Sequence, residues 1–156
     1  MVFTFGSYIV DVERTRQLYT HTRTVSEGCC CDGCLNFEKA VDYLPMQIRD
    51  FFESLGVDLR KACECYVNCV NENGTLLYGG WYHIFGNIIS GDSAWKKTGE
   101  NSAFWDNNVA FAVTQDFRVS FENEVYLQKK EYPFPTIQLE FVANIPWVLD
   151  KKNAYL

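Results

Sequence analysis

Residues 63–89 read CECYVNCVNENGTLLYGGWYHIFGNII, and this stretch decides the fold. Cys63, Cys65, Val67 and Cys69 alternate with Glu64, Tyr66 and Asn68, the period of a half-buried strand. Asn71-Glu-Asn-Gly74 supplies a turn, and Thr75 to Ile89 is rich in aromatic and branched residues, so the segment is predicted to form a hairpin. The same period-two pattern recurs in Phe117, Val119 and Phe121 and in Ile137, Leu139 and Phe141, which predicts two further strands. Val109 to Val113 is a candidate fifth. Residues 90–108 are polar and glycine-containing with two tryptophans, which reads as a long connection folded onto the sheet.

Upstream of residue 60 the period is helical. Tyr8, Val12, Thr15 and Tyr19 follow one another at spacings of four, three and four, and Asp11 is placed to cap, so a short helix is expected over 11–20. Phe37, Val41, Leu44, Ile48, Phe51, Phe52 and Leu55 form a longer stripe. Pro45 interrupts it, and proline is tolerated only in a first helical turn, so two helices are predicted, over 36–43 and 45–55, with Gly56 closing the second. Helices first and strands later is the order of an α+β protein, with N-terminal helices packed on an antiparallel β-sheet. With 156 residues, 47% hydrophobic and 22% charged, the chain is expected to form one domain over 1–156.

The formal net charge of −6 argues against nucleic acid or an anionic membrane surface as partner, since both favour a basic face. The start MVFTFGSYIVDVER lacks a basic n-region, a long apolar core and a cleavage site, and no run reaches membrane-spanning length. A cytoplasmic location is therefore expected. In that compartment thiols are metal ligands, redox groups or core residues rather than structural disulfides, and the odd count of seven cysteines agrees. Asn73-Gly-Thr75 matches a glycosylation pattern, but without a secretory signal it is read as a turn. No phosphate-binding glycine loop, serine elbow or HExxH pattern occurs.

The one constellation that carries chemistry is Ser26-Glu-Gly-Cys-Cys-Cys-Asp-Gly-Cys34. Cys29, Cys31 and Cys34 form a C-x-C-x2-C pattern. The interval Cys31 to Cys34 is the short knuckle spacing that lets two thiolates reach one zinc ion, Gly33 suits the tight turn, and Cys29 can be the third ligand. A fourth must come from elsewhere; His83 and His21 are candidates, as is water. Two other readings stand beside zinc. The thiols could simply pack against the helix expected from Asn36, or Cys31 and Cys34 could be a redox pair at a helix N-terminus, Cys31 attacking and Cys34 resolving. Cys63, Cys65 and Cys69 are expected on one strand face as small core residues, and His83 on a face with Trp81 and Phe85. An aromatic content of 16% also allows a ligand-binding module that uses the aromatic sheet face.

The segments Val12-Glu-Arg-Thr15, Gly28-Cys-Cys-Cys-Asp-Gly-Cys-Leu-Asn36, Phe51-Phe-Glu-Ser-Leu-Gly-Val-Asp58 and Leu77-Tyr-Gly-Gly-Trp-Tyr-His83 resemble an uncharacterised family of small proteins from anaerobic bacteria. The resemblance runs from about residue 8 to Ile145-Pro-Trp-Val148. It implies the C-x-C-x2-C pattern at Cys29, Cys31 and Cys34, with Cys30 as an extra, and no activity, substrate or partner.

Overall fold

The structure is a computed structural model and describes residues 2–3, 6–128 and 131–156. In chain order the strands and helices are β1 (Val2–Phe3), β2 (Gly6–Val10), α1 (Val12–Thr20), α2 (Val25–Gly28), α3 (Asp32–Ala40), α4 (Met46–Ser54), β3 (Glu64–Val70), β4 (Leu76–Gly91), β5 (Trp95–Lys97), β6 (Ala103–Trp105), β7 (Phe111–Thr114), β8 (Phe117–Glu122) and β9 (Thr136–Ile145). This is the expected α+β architecture. The large sheet is antiparallel in the order β1-β2-β4-β9-β8-β7, with β3 also paired to β4.

β4 is the spine. Its 16 residues are long enough to serve two neighbours on one edge, β3 along Leu76–Trp81 and β2 along Gly86–Gly91, while β9 lines the other edge from Leu76 to Phe85. Alternation along these strands separates two faces. Leu76, Tyr78, Tyr82 and Ile84 of β4, Leu139, Phe141 and Ala143 of β9, and Phe117, Val119 and Phe121 of β8 are buried in one core with the helices. Phe37 of α3 stacks on Phe141 with ring centres 5.4 Å apart, and Phe52 of α4 meets Tyr82 at 5.0 Å and Phe117 at 5.6 Å. Edge and offset contacts of this kind add to the area the rings bury.

The opposite face is covered by the chain itself. Residues 92–106 fold over it: Ser93 Oγ donates to Glu122 at 2.8 Å, the Ala94 amide donates to Ser120 Oγ at 2.9 Å, and the Trp95 indole N–H donates to Glu140. Burial holds the Glu140 carboxyl above its usual range, against the opposing hydrogen bonds from Trp95 and Gln138. Tyr126, Tyr132 and Phe134 place their rings against Trp81, His83 and Phe85. The aromatic face that a binding module would offer is thus largely occupied by intramolecular contacts.

The helix over 11–20 forms as α1, capped by Asp11 Oδ1, which accepts from the Arg14 amide at 3.0 Å. Tyr8, counted with that stripe, lies instead on β2, a strand not anticipated. The helix expected from Asn36 begins four residues earlier at Asp32 and gives way to a 3-10 turn at Val41–Tyr43; Pro45 caps α4 and Gly56 closes it at φ +79°. The fifth strand is β7, and the long connection carries the small hairpin β5–β6 with Trp95 opposite Trp105. The expectation for the strand cysteines is corrected. The register of β3 shifts between Val67 and Cys69, which leaves Cys69 exposed, while Cys63 precedes the strand and only Cys65 is buried in the core.

Gly80 sits where β3, β4 and β9 meet, opposite Cys65 and Phe141. A Cβ there would come within 2.2 Å of the Glu64 carbonyl oxygen and 2.8 Å of the Phe141 ring, and backbone in a three-strand ladder has little room to yield. Gly80→Ala is expected to destabilise by about 2–3 kcal/mol, lowering Tm by roughly 4–12 °C. Gly74→Ala, in the open β3–β4 turn at φ +84°, meets no neighbour and costs only about 1 kcal/mol of backbone strain. Thermal melts of the two variants that reverse this order would contradict the assignment.

Candidate metal centre

The C-x-C-x2-C spacing works because the backbone changes conformation inside it. α2 ends at Gly28, and its C-cap Cys29 is extended, at φ −149° and ψ 113°. Cys31 is the N-cap of α3, at φ −67° and ψ 159°. Across an extended link, side chains two apart point the same way, so Cys29 and Cys31 share a side that Cys30 does not. One helical turn then brings Cys34, three residues past the cap, back over Cys31. The three sulfurs lie within 4.8 Å of one another, close enough to hold one metal ion, and none is in a disulfide.

Several contacts fix this loop. The Thr24 amide donates to Glu27 Oε2 at 3.1 Å at the start of α2, and the Ser26 amide donates to Glu38 Oε2 at 2.8 Å, tying α2 to α3. The Tyr78 hydroxyl, on the inner face of β4, donates to the Gly33 carbonyl at 2.7 Å. Gly33 is an ordinary helical residue in the first turn of α3, which corrects the expectation that it serves a tight turn. Its missing side chain instead leaves room for Tyr155, whose hydroxyl would lie 2.6 Å from a Cβ there. Lys151 Nζ pairs with Asp32 Oδ1 at 2.8 Å, so C-terminal residues flank the loop.

The thiols are not equivalent. Cys34, 5% exposed, is lowered to about 6: the hydrogen bond from the Cys65 thiol, joined by those from Cys31 and Cys29, outweighs its burial. Desolvation, with the neighbouring thiols, lifts Cys31 to about 11. This reverses the order expected of a redox pair, because the group that ionises first is Cys34, the one enclosed by protein, and not Cys31.

Neither histidine joins the cluster. His83 is 1% exposed on the face of β4 that carries Trp81 and Phe85, as expected, and it makes a separate arrangement that the sequence did not signal. Tyr132 Oη lies 2.8 Å from His83 Nδ1, and Cys63 Sγ lies 3.3 Å from the same nitrogen. Burial pushes the Cys63 thiol up to about 11 and the Tyr132 hydroxyl up to about 12, so both keep their protons at neutral pH. The other ring nitrogen, Nε2, is buried and makes no hydrogen bond. The two partners join the chain from residues 20 before and 49 after His83, too far apart for motif reading to connect.

No protein-family model, curated protein or solved structure matches the chain. No family is assigned to the chain; of the motif, the structure brings Cys29, Cys31 and Cys34 together as a group of three sulfurs.

Burial lowers the affinity of His83 for a proton below the ordinary value of 6.5. In the unfolded chain the ring protonates as pH falls below about 6.5, while in the folded chain it stays neutral, so the unfolded state binds the extra proton and stability drops. The loss is at most ~1.4 kcal/mol per pH unit and ends once pH falls below the folded-state value. Urea unfolding between about pH 7 and 5 is expected to show this slope in the wild type and a flatter one in His83→Gln. Equal slopes would remove His83 as its source.

Proposed function

We propose that Cys29, Cys31 and Cys34 bind a zinc ion whose role is structural, fixing the link between α2 and α3 against the sheet in a cytoplasmic protein without enzymatic activity. The observation that supports this reading is the approach of the three sulfurs to within 4.8 Å without a disulfide. Thiolates are soft donors that favour zinc among the common divalent ions of cells, and zinc–sulfur distances near 2.3 Å need only a modest contraction of the group. The redox alternative requires an accessible nucleophile. Its most acidic thiol, Cys34, is enclosed between α3 and β3, which favours a ligand over a reagent. The formal charge of −6 weighs against nucleic acid as partner, and no helix among the described residues is long and apolar enough to cross a membrane.

A ligand that binds only the folded state stabilises it by about 2.7 kcal/mol at a hundred times its Kd. Protein purified without chelator is expected to carry close to one equivalent of zinc, and chelation is expected to lower Tm by roughly 5–10 °C. Cys31→Ser is expected to lose both the metal and the response to chelator. Metal-free protein whose exposed Cys29 and Cys31 thiols titrate rapidly and whose melt is unchanged by chelator would defeat the proposal.

A further inference from the structure

Three sulfurs leave a tetrahedral zinc ion one donor short, and the chain holds four other cysteines. Cys30 and Cys69 are exposed and outside the group, and Cys63 is engaged with His83. Cys65 differs from all three. It is buried on the helix-facing side of β3, and although its sulfur lies outside the group of three, its residue touches the cluster directly: Cys34 Sγ lies 3.9 Å from the Cys65 carbonyl oxygen. The contact joins α3 to β3 across 31 residues of chain.

We propose that Cys65 supplies the fourth thiolate, so that the ion closes a four-cysteine site bridging the first turn of α3 and strand β3. This rests on the zinc reading above and gives it a further consequence. A loop held by three local ligands is only stiffened, whereas an ion that also takes Cys65 cross-links the helical layer to the sheet. Four sulfurs about 2.3 Å from one ion lie about 3.8 Å apart, so the group of three draws in slightly and Cys65 turns toward it. All four thiols give up their protons to solvent, leaving a doubly negative cluster. The free amides at the N-terminus of α3 face that charge favourably, while the Glu64 carboxylate near Cys34 and Cys65 opposes it. No coordination position is left for substrate, which marks the site as structural rather than catalytic.

Cobalt(II) tests this, because its thiolate charge-transfer absorption grows with the number of bound sulfurs and its visible bands report tetrahedral geometry. The wild type, loaded with one equivalent of cobalt(II), is expected to give a four-thiolate spectrum. Cys65→Ala is expected to give a three-thiolate spectrum and to bind zinc at least about 100-fold more weakly, a larger loss than an outer-shell change brings. Because Cys65 is a core residue, a second variant decides the matter without touching it: Cys30→Ala, Cys63→Ala and Cys69→Ala combined leave only Cys29, Cys31, Cys34 and Cys65, and are expected to keep the full spectrum. A three-thiolate spectrum in wild type, or the loss of one thiolate in the combined variant, overturns the role of Cys65 while leaving the three-cysteine reading in place. Wild-type protein that binds neither cobalt nor zinc overturns both.

Discussion

The buried amide of Asn36 and the hydroxyl of Tyr78 hold the cysteine loop where it is. Asn36 Nδ2 donates to Tyr78 Oη at 3.3 Å and to the Pro146 carbonyl at 3.1 Å, and its Oδ1 accepts from the Val148 amide at 2.7 Å. Tyr78 in turn donates to Gly33. Four segments are thereby fixed by two side chains: the first turn of α3, the middle of that helix, the start of β4 and the chain leaving β9. Both residues are fully buried, and polar groups in that position are costly unless satisfied, so the network admits few alternative geometries. The cysteine loop inherits its position from this constraint.

Two other buried tyrosines, Tyr82 and Tyr19, repeat the device. Tyr82 donates to the Leu59 carbonyl at 2.8 Å, and Tyr19 donates to the His83 carbonyl at the same distance. Each ring fills core volume while its hydroxyl satisfies a carbonyl in an adjoining segment, which sets the register between layers as apolar packing alone would not. Burial raises all three hydroxyls well above the ordinary tyrosine range, so they remain donors. The inner face is committed in this way, and the outer face is covered by residues 92–106 and by the Tyr126, Tyr132 and Phe134 rings. The cysteine loop, half open to solvent at Cys29 and Cys31, remains the feature with chemistry to offer.

Local pattern made much of this legible. The alternation in Phe117–Phe121 and Ile137–Phe141 and the stripe from Phe37 to Leu55 each report a face turned to a core, and those elements stand close to where they were expected. The misses share a cause. The start of α3 at Asp32 was hidden because its first turn is held by Tyr78, from a distant strand, and not by a conventional capping side chain. β2 was hidden because its strand character depends on pairing with residues 86–91, some eighty positions away. The bulge that exposes Cys69 leaves no mark in an otherwise regular alternation.

The sequence by itself determined the α+β order of elements and the local grouping of Cys29, Cys31 and Cys34, because both depend on spacings shorter than two helical turns. Only the tertiary structure decided which other residues meet them. It set Cys65 against Cys34 and took His83 away to Cys63 and Tyr132, because those meetings depend on how α3 lies across β3 and how the chain after β8 folds back over β4. The physical reason is reach: backbone geometry fixes neighbours a few residues apart, whereas contacts across 20 to 49 residues follow from the packing of whole layers.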